Sequence, residues 1–176
     1  MGPERRVRAF LLPMKETLAS DRLRTDHRQI ELHLDDLHDA LKHLSPERVQ
    51  SVRQSFRALQ RLARLHMEQE ERIFYPTLRS SAADLLAHMD RQHSDIRQTE
   101  HCLAELLDSF PAPPTERDFT ELYRLGIEFH DAIQCHIVEE EDHLLKLADE
   151  QLSSLQQQHL LTEMQKLAEA AQKNPD

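Results

Sequence analysis

Glycine occurs only twice in this chain, tryptophan not at all, and cysteine only at positions 102 and 135. So little glycine leaves few residues for the tight turns of β-hairpins, which argues against a sheet protein. Two cysteines make no disulfide framework and fit a reducing compartment. No run of eighteen apolar residues is present, which excludes a membrane-spanning helix. The opening MGPERRVRAFLLPMKE has one short apolar patch broken by Pro13 and makes a poor signal peptide. Positive charge is outnumbered, with 22 Lys and Arg against 32 Asp and Glu. The formal net charge is −10, and the one basic cluster is Arg5, Arg6 and Arg8. Nucleic acid is therefore not expected as a partner, nor is a membrane, and the expected location is the cytoplasm.

What remains is rich in helix formers, with 31% charged residues and twelve histidines in 176 positions. That length suits one domain, 1–176, with residues 1–17 as an N-terminal extension and no attached output domain. Apolar residues then recur in steps of three and four. The first such stretch runs from about 21 to 43, with Ser20 as expected N-cap, and carries Leu23, His27, Ile30, Leu34, Leu37 and Leu41 on one face. Ser45-Pro46 opens a second helix through Val52, Phe56, Leu59, Ala63, His66, Glu70 and Ile73, expected to stop before Pro76. A third carries Leu86, Met89, His93, Ile96, Glu100, Leu103 and Leu107. After the loop FPAPPTE, a fourth carries Leu122, Gly126, Phe129, Ile133, His136, Glu140, His143 and Leu147. A last helix, 153–172, is expected to start at Ser153 or Ser154 and to bury Leu155, Leu160, Met164 and Leu167.

The stretches repeat. HMEQEERIFYP at 66 and HIVEEEDHLLK at 136 share His-x-x-x-Glu-Glu, and His27-x-x-Ile30 matches His93-x-x-Ile96. Two copies of a helical hairpin imply an all-α, antiparallel, up-down-up-down four-helix bundle with a short extra C-terminal helix.

Six polar residues interrupt the apolar seams at one level: His27, His66, Glu70, His93, His136 and Glu140. Buried imidazoles and carboxylates without partners cost several kcal/mol each, about the scale of a domain's whole stability. A cation removes that cost by making them ligands. The other reading of the same residues is a buried His–Glu hydrogen-bonded network. Imidazole and carboxylate donors without thiolate suit iron, manganese or zinc. The two-fold repeat suggests two ions, each held largely by one hairpin, with Glu70 and Glu140 bridging. With an oxide or hydroxide bridge, about ten of roughly twelve coordination positions are filled, and the rest are open to a reactant.

The order His, His-x-x-x-Glu, His, His-x-x-x-Glu, with DHRQI around His27 and HIVEEEDHLLKLADEQLSS leading into the last helix, resembles the hemerythrin-like, or HHE cation-binding, family. The resemblance covers residues 18 to 167. It implies a non-haem di-iron centre, two Fe ions bridged by oxide or hydroxide, with the six residues as ligands. Oxygen-carrying hemerythrins have a second His four residues after the third-helix ligand, where this chain has Arg97, and pair His with Asp at a spacing of five on the fourth helix, where this chain has Glu140 at four. The departures point away from simple oxygen carriage. They point toward binding, sensing or reducing a small diatomic or peroxide ligand (O2, NO or peroxide), as in bacterial hemerythrin-like proteins. The alternative is an iron-holding protein that stores iron or donates it for iron–sulfur cluster repair, without turnover. A monomer or weak homodimer is expected, and turnover is left open.

Other residues carry weaker expectations. His143 falls on the seam one turn past Glu140 and is a candidate seventh ligand; Glu31, Glu100 and His130 are flanking candidates. Glu68, Glu71, Glu139 and Glu141 read as solvated helix faces. Cys102 and Cys135 read as small packed hydrophobes.

Overall fold

The computed structural model describes residues 18–173, so the expected extension over 1–17 lies outside the described residues. Four long helices form the bundle: α1 (Ala19–Lys42), α2 (Val49–Gln69), α4 (Ala83–Asp108) and α5 (Glu116–Glu139). The helices α3 (Tyr75–Leu78) and α6 (Lys146–Gln151) continue α2 and α5 beyond the π-helical turns Glu70–Phe74 and Glu140–Leu145. The last helix, α7 (Ser154–Lys173), packs on α1 and α2. No strand is present among the described residues. α1 packs on α2, α4 on α5, and the hairpins meet chiefly along α1 and α5. Close approach there depends on Gly126, where an added Cβ would stand 2.5 Å from a methyl of Leu41.

The seams bury as their periodicity requires, in two apolar cores. One holds Ile30, Leu34, Leu37 and Leu41 with Phe56, Leu59, Leu103, Leu107, Phe129 and Ile133. The other, at the opposite end, holds Leu23, Phe74, Tyr75, Leu86, Met89, Leu144, Leu145, Leu161 and Met164. Leu23 and Ile30 bracket His27 and belong to different cores, so the polar level lies between them. α7 roofs the second core, and Gln69 ties it down through a 3.0 Å bond from Nε2 to the Met164 carbonyl.

Helix ends differ from expectation at several places. Ser20 is no N-cap. It lies buried inside α1, its N–H donating to Gln157 Oε1 at 3.1 Å and its hydroxyl to Asp149 Oδ1 at 2.6 Å. Contact with α6 and α7 thus outweighs its local capping preference. Ser45 bonds Glu47 rather than capping backbone, while Pro46 does sit in the first turn of a short 3₁₀ helix. Ser153 caps α7, accepting from Gln156 N–H at 3.4 Å. Pro76 does not end its helix: it falls in the first turn of α3, where a missing N–H is tolerated, because the π turn has restarted the hydrogen-bond ladder. Leu160 and Met164 are buried as expected, with Leu161 beside them, but Leu155 stands 77% exposed and Leu167 is only half-buried. Both cysteines are exposed rather than packed.

Candidate metal centre

Each of the four bundle helices brings polar side chains to the level between the cores, and all six seam residues converge there. None is more than 3% exposed. Ligand-type atoms of His27, His66, Glu70 and Glu140 lie within 4.8 Å of one another, and so do those of Glu70, His93 and His136. Glu70 belongs to both groups. The imidazole pairs follow the hairpins: His27 and His66 from α1 and α2, His93 and His136 from α4 and α5. In each pair the Nε2 atoms face each other at 3.1 Å.

The contacts inside the cluster are short but are not all hydrogen bonds. His66 Nε2 stands 3.0 Å from Glu70 Oε1, and His27 Nε2 stands 3.0 Å from Glu140 Oε2. Yet Glu70 Oε1 and both oxygens of Glu140 are buried without a hydrogen-bond partner. Burying such acceptors unpaired costs of order 1–3 kcal/mol each. Donor atoms that crowd to 3 Å without hydrogen-bond geometry are arranged as ligands around a cation, and the residues therefore fit a metal.

The outer ring nitrogens support that arrangement. His27 Nδ1 lies 2.9 Å from Glu141 Oε1, His93 Nδ1 2.7 Å from Glu71 Oε1, and His136 Nδ1 3.1 Å from Gln92 Oε1. A carboxylate or amide oxygen accepts, so Nδ1 carries a proton in each ring, and Nε2 is the nitrogen left to offer a lone pair to a metal. His66 Nδ1 alone lacks a partner. The position equivalent to Gln92 on α1 is Asp26, whose carboxylate takes a hydrogen bond from Arg22 instead.

Glu71 and Glu141 are thus not solvated faces, as their position one residue off the seam suggests. Both are half-buried, and Glu71 also accepts from Arg97 at 2.5 Å. The second Glu in each HxxxEE copy was the available signal. The π turns account for the placement: a wider turn advances fewer degrees per residue, so Glu71 and Glu141 stay nearer the face of Glu70 and Glu140. The same widening rotates His143 off the seam, and it is exposed. Glu100 lies outside the cluster, held by Gln60 Nε2 at 2.7 Å and by Arg64. Glu31 accepts from Gln134, and His130 contacts Asp131.

Tyr75 belongs to the site and was missed. Its hydroxyl lies 3.3 Å from His93 Nε2 and 3.5 Å from Glu70 Oε2, and its ring stacks on that of His93. In an α-helix, five residues turn about 500°, which leaves Tyr75 about 140° away from Glu70. The π turn, in which the Tyr75 N–H bonds the Glu70 carbonyl, brings it back over the same face.

Without a metal the cluster holds protons. Burial acts to lower His27 and His93, but the carboxylates against them, Glu140 and Glu141 at His27 and Glu70 and Glu71 at His93, override it and raise them to about 10 and about 9. Burial lowers His136 to about 3. Burial, reinforced by the charge of Glu70, raises Glu140 to about 7. Both carboxyls are expected to rise on burial alone, but Glu70 does not: its burial is outweighed by His66 and His93, which hold it well below the usual range. Burial, with Glu70 second, raises the Tyr75 phenol well above its ordinary value.

Among the described residues, no helix is long and apolar enough to cross a membrane. Residues 18–148 match the family described as the hemerythrin HHE cation-binding domain. No curated protein and no solved structure matches the chain.

Proposed function

The chain belongs to the hemerythrin HHE cation-binding family, and from that premise we propose that it is a non-haem di-iron protein that binds, senses or reduces O2, NO or peroxide. One observation carries the reading: two sets of inward-facing donors share Glu70 and sit in one sealed layer. His27 and His66 would hold one ion, His93 and His136 the other, with Glu70 between them and Glu140 closing the first set. The ions, when bound, would supply electrons and open coordination positions to a small reactant.

The protein's own part is positional. Glu141, Glu71 and Gln92 orient three imidazoles and make them better donors. The apolar cores on either side exclude water and strengthen every electrostatic contact in the layer. Burial of all six donors favours a reactant of two heavy atoms over a larger substrate. It also disfavours rapid release of iron, which an iron donor requires.

Protein purified without oxygen should contain about two iron ions per chain. Its optical spectrum should change on adding O2, NO or peroxide, with iron retained. Prompt loss of iron to a chelator under mild reduction, with no spectral response to any of the three, would transfer the reading to iron storage or donation.

A further inference from the structure

We infer that Tyr75 is a seventh ligand, binding through its phenolate oxygen the ion held by His93 and His136. The inference rests on the di-iron reading above. The first set has four donor residues, His27, His66, Glu70 and Glu140, whereas the second has three imidazole or carboxylate residues, Glu70, His93 and His136. The Tyr75 hydroxyl lies beside the second set, against His93 Nε2 and Glu70 Oε2, while the nearest oxygen of Glu140 stands 3.8 Å from His136 Nε2.

The distances distinguish ligation from hydrogen bonding. Ligands about 2.1 Å from a six-coordinate ion stand about 3.0 Å apart when adjacent and about 4.2 Å apart when opposite. From His93 Nε2, the neighbours are His136 Nε2 at 3.1 Å, Glu70 Oε2 at 3.2 Å and Tyr75 Oη at 3.3 Å. Tyr75 Oη stands 3.5 Å from Glu70 Oε2, while His136 Nε2 and Glu70 Oε2 are 4.0 Å apart. Four spacings of 3.1–3.5 Å, nearer the adjacent value, and one of 4.0 Å, nearer the opposite value, describe donors around one centre. As hydrogen bonds, 3.3 and 3.5 Å are long, since a hydroxyl normally donates to oxygen at about 2.7–2.8 Å.

The symmetry partner of Tyr75, seventy residues on, is Leu145, which is buried and cannot coordinate. Tyr75 therefore makes the two halves chemically unequal: phenolate on one, none on the other. Ligation breaks the phenol O–H bond and forms an oxygen–metal bond. The proton passes to solvent and no electron moves.

The chain has two tyrosines, and the other, Tyr123, is 44% exposed on the surface, so any phenolate signal is assignable. Full-length protein loaded with iron(III) should show a visible phenolate-to-iron charge-transfer band, with tyrosinate ring modes in its resonance Raman spectrum. Tyr75→Phe, which keeps the ring in the core, should lose both, and Tyr123→Phe should keep both. Wild-type protein holding two ions without tyrosinate modes would overturn the ligation while leaving the di-iron reading standing. So would a Tyr75→Phe spectrum identical to wild type. Uptake of fewer than two ions by wild type would remove both. The Raman spectrum of wild type decides the matter even if Tyr75→Phe does not fold.

Discussion

Glu71 on the first hairpin holds His93 on the second, carboxylate oxygen to Nδ1 at 2.7 Å, and Glu141 on the second hairpin holds His27 on the first at 2.9 Å. Each hairpin thus orients an imidazole of the other. The exchange cross-ties the bundle at the metal level, and it makes the residue after each bridging candidate part of the site.

The first prediction follows directly. Glu71→Ala leaves His93 with no acceptor for its Nδ1 proton and frees its ring to rotate. Metal affinity should fall about 10–100-fold, as is usual when the partner of a ligating imidazole is removed. Glu141→Ala should do the same through His27, and Glu68→Ala, on the exposed side of α2, should do nothing. Competition against a chromophoric chelator measures all three. Affinity unchanged in Glu71→Ala would mean that the hydrogen bond does not orient His93.

Glu70 contributes an oxygen to each donor set, while His66 contributes to one. Glu70→Ala should therefore lose most bound iron, and His66→Ala should lose chiefly the ion next to His27. Metal analysis on folded, monodisperse variants tests this. Retention of both ions by Glu70→Ala would refute a bridging carboxylate at that position.

Metal-free protein should lose stability as pH rises. Glu140, His27 and His93 have folded values above their unfolded ones, at about 7, about 10 and about 9. A raised group contributes stability below its unfolded value and loses it as pH climbs through the folded value. For Glu140 that window is 4.5 to about 7, and for the two histidines 6.5 to about 9 and about 10. His136, lowered to about 3, acts oppositely and costs stability as pH falls below 6.5. Between pH 7 and 10 the metal-free melting temperature should drop. The iron-loaded protein should not follow, because ligation displaces those protons and strengthens with pH. Parallel melting curves across that range would contradict the displacement.

The roof helix separates two residues of one apparent stripe. Met164 is fully buried under the second core, and Leu155 is 77% exposed. Met164→Ala should cost about 2–5 kcal/mol, and Leu155→Ala should stay within about 0.5 kcal/mol. Denaturant unfolding of the two variants makes the comparison. A similar loss in both would place the α7 face wrongly.

The bundle itself was legible before folding was considered. Apolar steps of three and four are a local property of the chain, and a helix obliges such residues onto one face wherever it packs. The same rule put His27, His66, Glu70, His93, His136 and Glu140 at one level of four seams, because seam phase survives any rigid docking of regular helices. What the pattern could not contain was a change of the turn itself. At Glu70–Phe74 and Glu140–Leu145 the backbone widens to π geometry, and there the 3.6-residue phase stops predicting direction. That single change turns Tyr75 toward His93, draws Glu71 and Glu141 under the imidazoles, and swings His143 out to solvent. Ser20 shows the other limit: a residue suited to cap its own helix instead bonds Asp149 and Gln157, more than a hundred residues away. Its partners exist only once α6 and α7 fold back over the bundle, and that contact is set by tertiary packing rather than by anything near it in the chain.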